Sequence, residues 1–269
     1  MMSSDVPRTQ TSAAPGAMSL FGLSIQNTTL ELAAETLLQS ASSRQGRRVY
    51  FVNAHCVNIA ASEADYEHIL HDADLLYADG IGMRLAARVA GVALRGNVNG
   101  TDLFPLLCAG AARAGLELAF IGGKPGIAQA CARNMMDAHP GLKVTYIQDG
   151  YFSAAETSDV LQAVRHSQAR LVFVAMGVPR QEQFIHAHRD DLGATVCIGV
   201  GALFDFYSGT IPRAPRLMRR FGLEWLFRLL VEPRRLFARY VLGNPQFVAR
   251  VLWRRLQSRG ALTHEPLAH

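Results

Sequence analysis

The chain has 269 residues, of which 49% are hydrophobic and 18% charged, and its net charge is +5. That balance describes a globular protein with a sizeable core and excludes a fibrous or wholly disordered chain. No uninterrupted apolar run reaches the roughly 18 residues of a membrane-spanning helix, so a surface-bound or soluble protein is expected.

Residues 1–18 are rich in Ser, Thr, Pro, Ala and Gly and have no apolar period. They are predicted to be a disordered tail, and they lack the apolar centre of a secretory signal. Leu20–Ile25 reads as an extra strand and Thr28–Leu38 as a helix. From about Arg47 the pattern alternates. Val49–Val52, Leu75–Ala78, Leu116–Ile121, Leu142–Ile147, Arg170–Met176 and Thr195–Val200 are predicted strands. Between them, helical patterns start at Ala54 and Pro125 and cover Ile81–Val89, Thr101–Ala114, Ala154–His166 and Pro179–His188. Such alternation predicts an α/β fold, a parallel sheet with helices on both faces. After Arg216 the strands stop. Leu217, Phe221, Trp225 and Leu229, then Leu236, Phe237, Tyr240 and Val241, recur at helical spacings. The expected organisation is a core over 19–211, a separate appendage of amphipathic helices over 212–259, and a disordered end over 260–269.

The charge is unevenly spread. Between Pro212 and Arg259 there are 12 Arg and no Lys against Glu224 and Glu232, a net +10, whereas residues 1–211 sum to −4. A guanidinium binds phosphate through two parallel hydrogen bonds and keeps its charge. The segment therefore seeks nucleic acid, lipid headgroups or a diphosphate substrate. The aromatic residues among the arginines, Trp225, Phe227, Phe237, Tyr240 and Trp253, favour a membrane interface over nucleic acid. The four cysteines, Cys56, Cys108, Cys131 and Cys197, form no CxxC pair and read as buried apolar residues.

In an open α/β sheet, ligands bind beyond the carboxyl ends of the strands. Asn53, Asp79 and the run Gly177–Glu182 fall there. A carboxylate at Asp79 either takes a proton from an attacking hydroxyl or caps the following helix. Gln181 either bonds a sugar hydroxyl or a base, or is an ordinary helix-start glutamine. The run Gly122-Gly-Lys-Pro-Gly126 has the look of a phosphate loop. It matches neither GxGxxG nor GxxxxGK[ST], which argues against a dinucleotide oxidoreductase and a P-loop kinase. Gly199 and Gly201 allow close backbone approach to a ligand, and Asp205 either fixes a hydroxyl or caps a turn. Asp72-Ala-Asp74 spells DxD but precedes an apolar strand instead of ending one, so it is set aside as a metal site. His186 and His188 face different sides of a helix and make no zinc pair.

Several stretches then line up: Ala78-Asp-Gly-Ile-Gly82, Asn99-Gly-Thr-Asp-Leu103, Met176-Gly-Val-Pro-Arg-Gln-Glu182, Gly199-Val-Gly201 with Phe204-Asp205, Arg213-Ala-Pro215, and Leu223-Glu-Trp-Leu-Phe-Arg228 with Glu232-Pro-Arg234. Together they resemble the WecG/TagA/CpsF glycosyltransferases (glycosyltransferase family 26). The resemblance implies a Rossmann-like core and a helical appendage that completes the active site. It also implies a metal-independent, cofactor-free inverting enzyme at the inner face of the cytoplasmic membrane. Such an enzyme moves a hexose from a UDP-sugar to an undecaprenyl-diphosphate-linked sugar. By the same resemblance Asp79 is the catalytic base. The resemblance also puts Gln181 near the donor and Arg228, Arg235 and Arg239 on the acceptor diphosphate, with the register among Arg234, Arg235 and Arg239 open. From their own positions in the strand-end loops, Asn53, Gly122, Gly123, Gly201 and Asp205 are assigned to the donor as well. Some members have Thr where this chain has Phe51.

The sugar is open between glucose, N-acetylmannosamine and its uronic acid. The composition, 25 Arg to 2 Lys, points to a GC-rich genome and away from teichoic acid. The leaning is therefore to a β-1,4-glucosyltransferase of exopolysaccharide synthesis. The alternative is an N-acetylmannosaminyl or uronic acid transferase acting on undecaprenyl-diphosphate-N-acetylglucosamine. From another class stands a nucleic-acid-binding protein using the basic segment. Homo-oligomerisation is left open.

Overall fold

The computed structural model describes residues 16–192 and 195–261. A hairpin comes first, β1 (Ala17–Leu20) and β2 (Leu23–Gln26), followed by α1 (Leu30–Ser42) and β3 (Arg47–Val52). Two short helices, α2 (Ala54–Ala60) and α3 (Ala64–His71), lead to β4 (Leu75–Ala78). Then α4 (Gly80–Val89) and α5 (Gly100–Ala114) cross to β5 (Glu117–Gly122). The next elements are α6 (Ile127–Ala138), β6 (Lys143–Gln148), α7 (Thr157–His166) and β7 (Leu171–Ala175). After α8 (Arg180–Ala187) and α9 (Arg189–Leu192) comes β8 (Val196–Gly199). The remainder is helical: α10 (Leu203–Tyr207), α11 (Arg216–Arg220), α12 (Glu224–Val231), α13 (Pro233–Phe237), a π-helical turn at Ala238–Leu242, and α14 (Gly243–Ala261).

The eight strands form one sheet in the order β1-β2-β4-β3-β8-β7-β5-β6, parallel except for the β1–β2 hairpin. This bears out the mostly parallel, Rossmann-like sheet. The strands are apolar on both faces because both faces are covered. In β3, Val49 and Phe51 point into one layer with α1, α5, α6 and α10, while Tyr50 and Val52 point into the other with α2, α3, α4 and α8. Phe104, Phe120, Phe173 and Phe204 interlock in the first layer at centroid distances of 5.0–5.7 Å.

The expected single strand Leu20–Ile25 is a hairpin, turned at Phe21 and Gly22, both with positive φ. Ala17 and Met18, expected in the disordered tail, lie in β1, and Met18 is buried. Gly260 and Ala261, expected in the disordered end, close α14, and residues 1–15 and 262–269 lie outside the described residues. The DxD pair is structural: Asp72 and Asp74 both hold the buried Arg48. All four cysteines are buried and unpaired.

The C-terminal helices form the helical appendage, and it is packed against the core. α14 packs on α2 and α4, and its Phe247 and Val251 belong to the core layer that also holds Tyr50 and Met83. Phe247 is 2% exposed and meets Phe21 at 5.4 Å, and a Cβ on Gly82 would lie 3.4 Å from its ring. Arg213 makes a second attachment, reaching Asp102 of α5 at 2.6 Å and Glu224 of α12 at 3.6 Å. Replacing Phe247 by Ala should cost about 3–5 kcal/mol in a denaturant titration. Leu242→Ala, at a well-exposed position, should stay within about 0.5 kcal/mol. A Phe247→Ala variant as stable as the unsubstituted protein would remove α14 from the core.

Candidate active site

Two chambers open at the carboxyl edge of the sheet. The first, of about 370 Å³, is walled by α4, α11, α12 and α14 and holds Ile81, Asn97, Glu224, Trp225 and Tyr240. The second, of about 400 Å³, is edged by Gly177, Gln181, Gly199 and Gly201, with Arg235 opposite. Asn53, His55, Asp79, Arg228 and Arg239 line both. The site is thus a pair of spaces sharing one polar wall.

That wall is built by the ends of β3 and β4. The Asp79 amide donates to Val52 O at 2.8 Å, which extends the parallel ladder by one residue. Gly80 follows at φ +87°, a left-handed conformation that favours glycine. Its N–H donates to Asn97 Oδ1 at 2.9 Å. Asp79 occupies the cap position of α4, yet its side chain makes no capping hydrogen bond. The carboxylate lines both chambers beside Asn53 instead of capping the helix, which counts against the simple cap reading. Asn53 differs: its Oδ1 caps α2, accepting from the amides of His55 at 3.0 Å and Cys56 at 3.3 Å.

The surroundings of Asp79 are balanced. Burial raises its carboxyl, Glu224 raises it further, and Arg239, an Asn53 hydrogen bond and Arg228 pull it back, leaving it at about 6. A carboxylate poised there is ionised at neutral pH and basic enough to accept a proton. The cations above it are themselves held in place. The Arg228 guanidinium lies 5.3 Å from the Phe206 ring centroid, and that of Arg239 lies 5.5 Å from Tyr240. The Nε–H groups of both arginines are buried without an acceptor among the described residues. Buried donors of this kind fit an anionic ligand. Arg239 sits in the π-helical turn, an irregularity common at functional sites.

The other expected site residues are placed less directly. Gln181 is buried in the wall of the second chamber, but its polar atoms are engaged: Oε1 accepts from Gly201 N at 2.8 Å and Nε2 donates to Glu182 Oε1 at 2.7 Å. It shapes the Gly199–Gly201 turn; a Cβ on Gly199 would lie 2.9 Å from its Nε2. Gly201, at φ +59° with open space about it, lines the chamber. Gly122 and Gly123 line neither chamber. A Cβ on Gly122 would lie 2.3 Å from the Ala175 carbonyl oxygen, so close packing of β5 on β7 explains that glycine. Pro125 does not open a helix; α6 starts at Ile127 behind Gly126. Asp205 also lines neither chamber; burial raises its carboxyl, opposed chiefly by Arg235. Arg235 falls with the glycine-edged chamber, apart from the aromatic one.

Residues missed in the sequence include His55, Asn97, Glu224 and Tyr240. Glu224 and Tyr240 were legible only as members of amphipathic helices. Asn97 and His55 stand in no motif spacing. Arg213, Asp102 and Asn99 form the support beneath: Asn99 Nδ2 donates to Asp102 Oδ2 at 2.7 Å. Burial opposes ionisation of Asp102, but the Asn99 and Arg213 hydrogen bonds outweigh it and hold its carboxyl below the ordinary range.

The family model for the glycosyl transferase WecG/TagA/CpsF family matches residues 18–261. Two curated relatives carry the name N-acetylglucosaminyldiphosphoundecaprenol N-acetyl-beta-D-mannosaminyltransferase. The one from Bacillus spizizenii is 37% identical over 188 residues, 70% of this chain and 71% of the relative. The one from Bacillus subtilis is 30% identical over 207 residues, 77% of this chain and 79% of the relative.

Glu182 offers a test of this architecture. Burial pushes its carboxyl up to about 8 against the hydrogen bond from Gln181. With the folded value raised, the stability it contributes is fully present below its ordinary range and is lost as pH rises through about 8. Glu182→Gln keeps an acceptor for Gln181 and removes the titration. Its melting temperature relative to the unsubstituted protein should therefore rise between about pH 6 and about pH 9. A difference that does not change with pH would mean that Glu182 is not held neutral.

Proposed function

Because the chain belongs to the WecG/TagA/CpsF glycosyltransferase family, we propose that it transfers N-acetylmannosamine from a UDP-linked donor to undecaprenyl-diphosphate-linked N-acetylglucosamine. The observation that carries this reading is the meeting of two chambers at one carboxylate. A transferase must hold two anionic substrates with their reacting atoms in contact and water excluded. Both relatives are named for mannosaminyl transfer, which favours this donor over the glucose expected from composition.

The glycine-edged chamber takes the donor. Gly201 lets the nucleotide approach the backbone, and Arg235 joins Arg228 and Arg239 around the diphosphate. The aromatic chamber takes the acceptor. Trp225 and Tyr240 offer faces for a sugar ring, and Ile81, Leu85 and Val248 at its rim are 44%, 45% and 40% exposed. An exposed apolar rim suits an acceptor whose tail lies in a membrane. Leu217, Phe221, Leu230, Phe237 and Trp253 extend the exposed apolar surface over the arginine-rich helices. Among the described residues no helix is long and apolar enough to cross a membrane. The protein acts from the membrane surface at its cytoplasmic face.

In the reaction, Asp79 removes the proton from the acceptor hydroxyl. The oxygen attacks the anomeric carbon, and the bond from that carbon to the diphosphate oxygen breaks on the opposite side. The configuration inverts from α to β. Arg228 and Arg239 neutralise the charge that develops on the departing UDP.

The proton-accepting role predicts that Asp79→Asn lowers turnover at least ~100-fold without unfolding the chain. Since Asp79 accepts a proton only when ionised, kcat/KM should rise with pH through about 6. Near-normal turnover in Asp79→Asn would remove it from the base role. A transfer assay with lipid-diphosphate-N-acetylglucosamine and UDP-N-acetylmannosamine should give a disaccharide-lipid. Product only from UDP-glucose and lipid-diphosphate-glucose would replace this reading with the exopolysaccharide one.

A further inference from the structure

Among the described residues His55 is the one imidazole that lines both chambers, and nothing in the preceding mechanism uses it. Its place is set by local structure. β3 ends at Val52, Asn53 caps α2, and His55 is the second residue of that helix, its amide bonded to the cap. The side chain therefore leaves the helix at its amino end, on the edge where β3, β4 and β8 finish.

Three observations bear on its chemistry. The ring makes no hydrogen bond or ion pair to another described residue. Its nitrogens are not sealed in the protein, since neither stands among the buried unpartnered atoms. The ring is also kept uncharged: burial and then the Arg239 guanidinium lower it to about 4, and the amino end of a helix disfavours a cation further. Solvent in the chambers can satisfy a free imidazole. Substrates that fill both chambers displace that solvent, so the substrate group beside the ring must pair with it or leave a buried donor unmet. Arg239 points to an anionic group, because it lines the same two chambers as His55 and its charge acts on the ring.

Resting on the donor assignment above, we propose that His55 is a substrate-contacting residue whose neutral imidazole N–H donates a hydrogen bond to the sugar-bearing phosphate of the nucleotide donor. Its part is complementary to the arginines. They supply charge from the C-terminal helices, whereas His55 supplies a directional, uncharged donor from the sheet side. It holds the leaving oxygen in line with the anomeric carbon and leaves the proton chemistry to Asp79.

The test has a binding arm and a kinetic arm. The imidazole proton resonances of His55 are assigned by their loss in His55→Gln, and UDP is titrated into the full-length protein while calorimetry measures its binding. The His55 resonances should shift as UDP saturates. His55→Phe, which keeps the ring volume and removes the donor, should lower kcat/KM about 10–100-fold. His55→Gln, which retains a neutral donor, should stay within about threefold of the unsubstituted enzyme, with the same dependence on pH. The proposal falls if UDP binds while the His55 resonances stay still and His55→Phe keeps normal kcat/KM. It also falls if His55→Gln abolishes the rise of activity through about pH 6, because His55 would then be the titrating group. Failure of UDP to bind at all would instead remove the donor assignment, and this proposal with it.

Discussion

The site depends on a reversal in strand order. β3 lies between β4 and β8, so the chain leaving β3 goes one way along the sheet and the chain entering β8 comes from the other. α2, after β3, packs in one layer, and α10, after β8, packs in the other. No crossover covers the gap between their starts, and backbone groups at the strand ends face an open crevice. Asn53, Asp79 and Gly201 stand on that crevice because each follows a strand that stops there. The C-terminal helices then roof it. Without that roof Asp79 would face water on one side, and the burial that raises its carboxyl would be lost.

The roof is also the source of the site's charge. Arg228, Arg235 and Arg239 all come from elements after β8, and so does Glu224. Glu224 raises Asp79, whereas Arg239 and Arg228 lower it, so the same helices push the proposed base in both directions. At an effective dielectric near 20, charges about 4 Å apart interact by roughly 4 kcal/mol. In the proposed reading, modest shifts of these helices therefore alter both phosphate affinity and the proton affinity of Asp79. Arg213 ties that adjustment to the core. It joins Glu224 to Asp102, and Asp102 is fixed in turn by Asn99 at the start of α5.

How far the site was legible in the sequence follows from which signals are local. Strand ends are local: an apolar run that stops at Asn53 or Asp79 places that residue on the carboxyl edge. The arginine-rich segment is local in composition, and its aromatic stripe could be counted. What a stripe faces is not local. The spacing of Leu236, Phe237 and Tyr240 shows an apolar face but does not show that Phe247 inserts between α4 and the β1–β2 turn. Glycines are ambiguous for a related reason. A glycine needed for backbone packing, such as Gly122 against Ala175, is written like one needed for a phosphate. The hairpin was missed because Phe21-Gly22 turns within a run that is apolar on both sides. His55 left no trace because one histidine after a helix cap has no spacing to recognise.

The two chambers differ in a way that bears on how two anions can share one site. The glycine-edged chamber is bounded by backbone turns and by Gln181, whose hydrogen bonds to Gly201 and Glu182 fix it before any ligand arrives. The aromatic chamber is bounded by side chains of α4, α11, α12 and α14. The first is rigid on the sheet side and suits a nucleotide of fixed shape. The second is built from helices attached to the core through Phe247, Val251, the Asn58–Gly243 hydrogen bond and the Arg213 ion pairs, and in the proposed reading it takes a substrate anchored elsewhere by its lipid. Arg228 and Arg239, common to both, can neutralise a diphosphate in either. In the proposed reading, two diphosphates drawn to one pair of guanidiniums repel each other, and Arg235, which lines only the glycine-edged chamber and is itself paired with Glu232, offsets part of that repulsion on the proposed donor side.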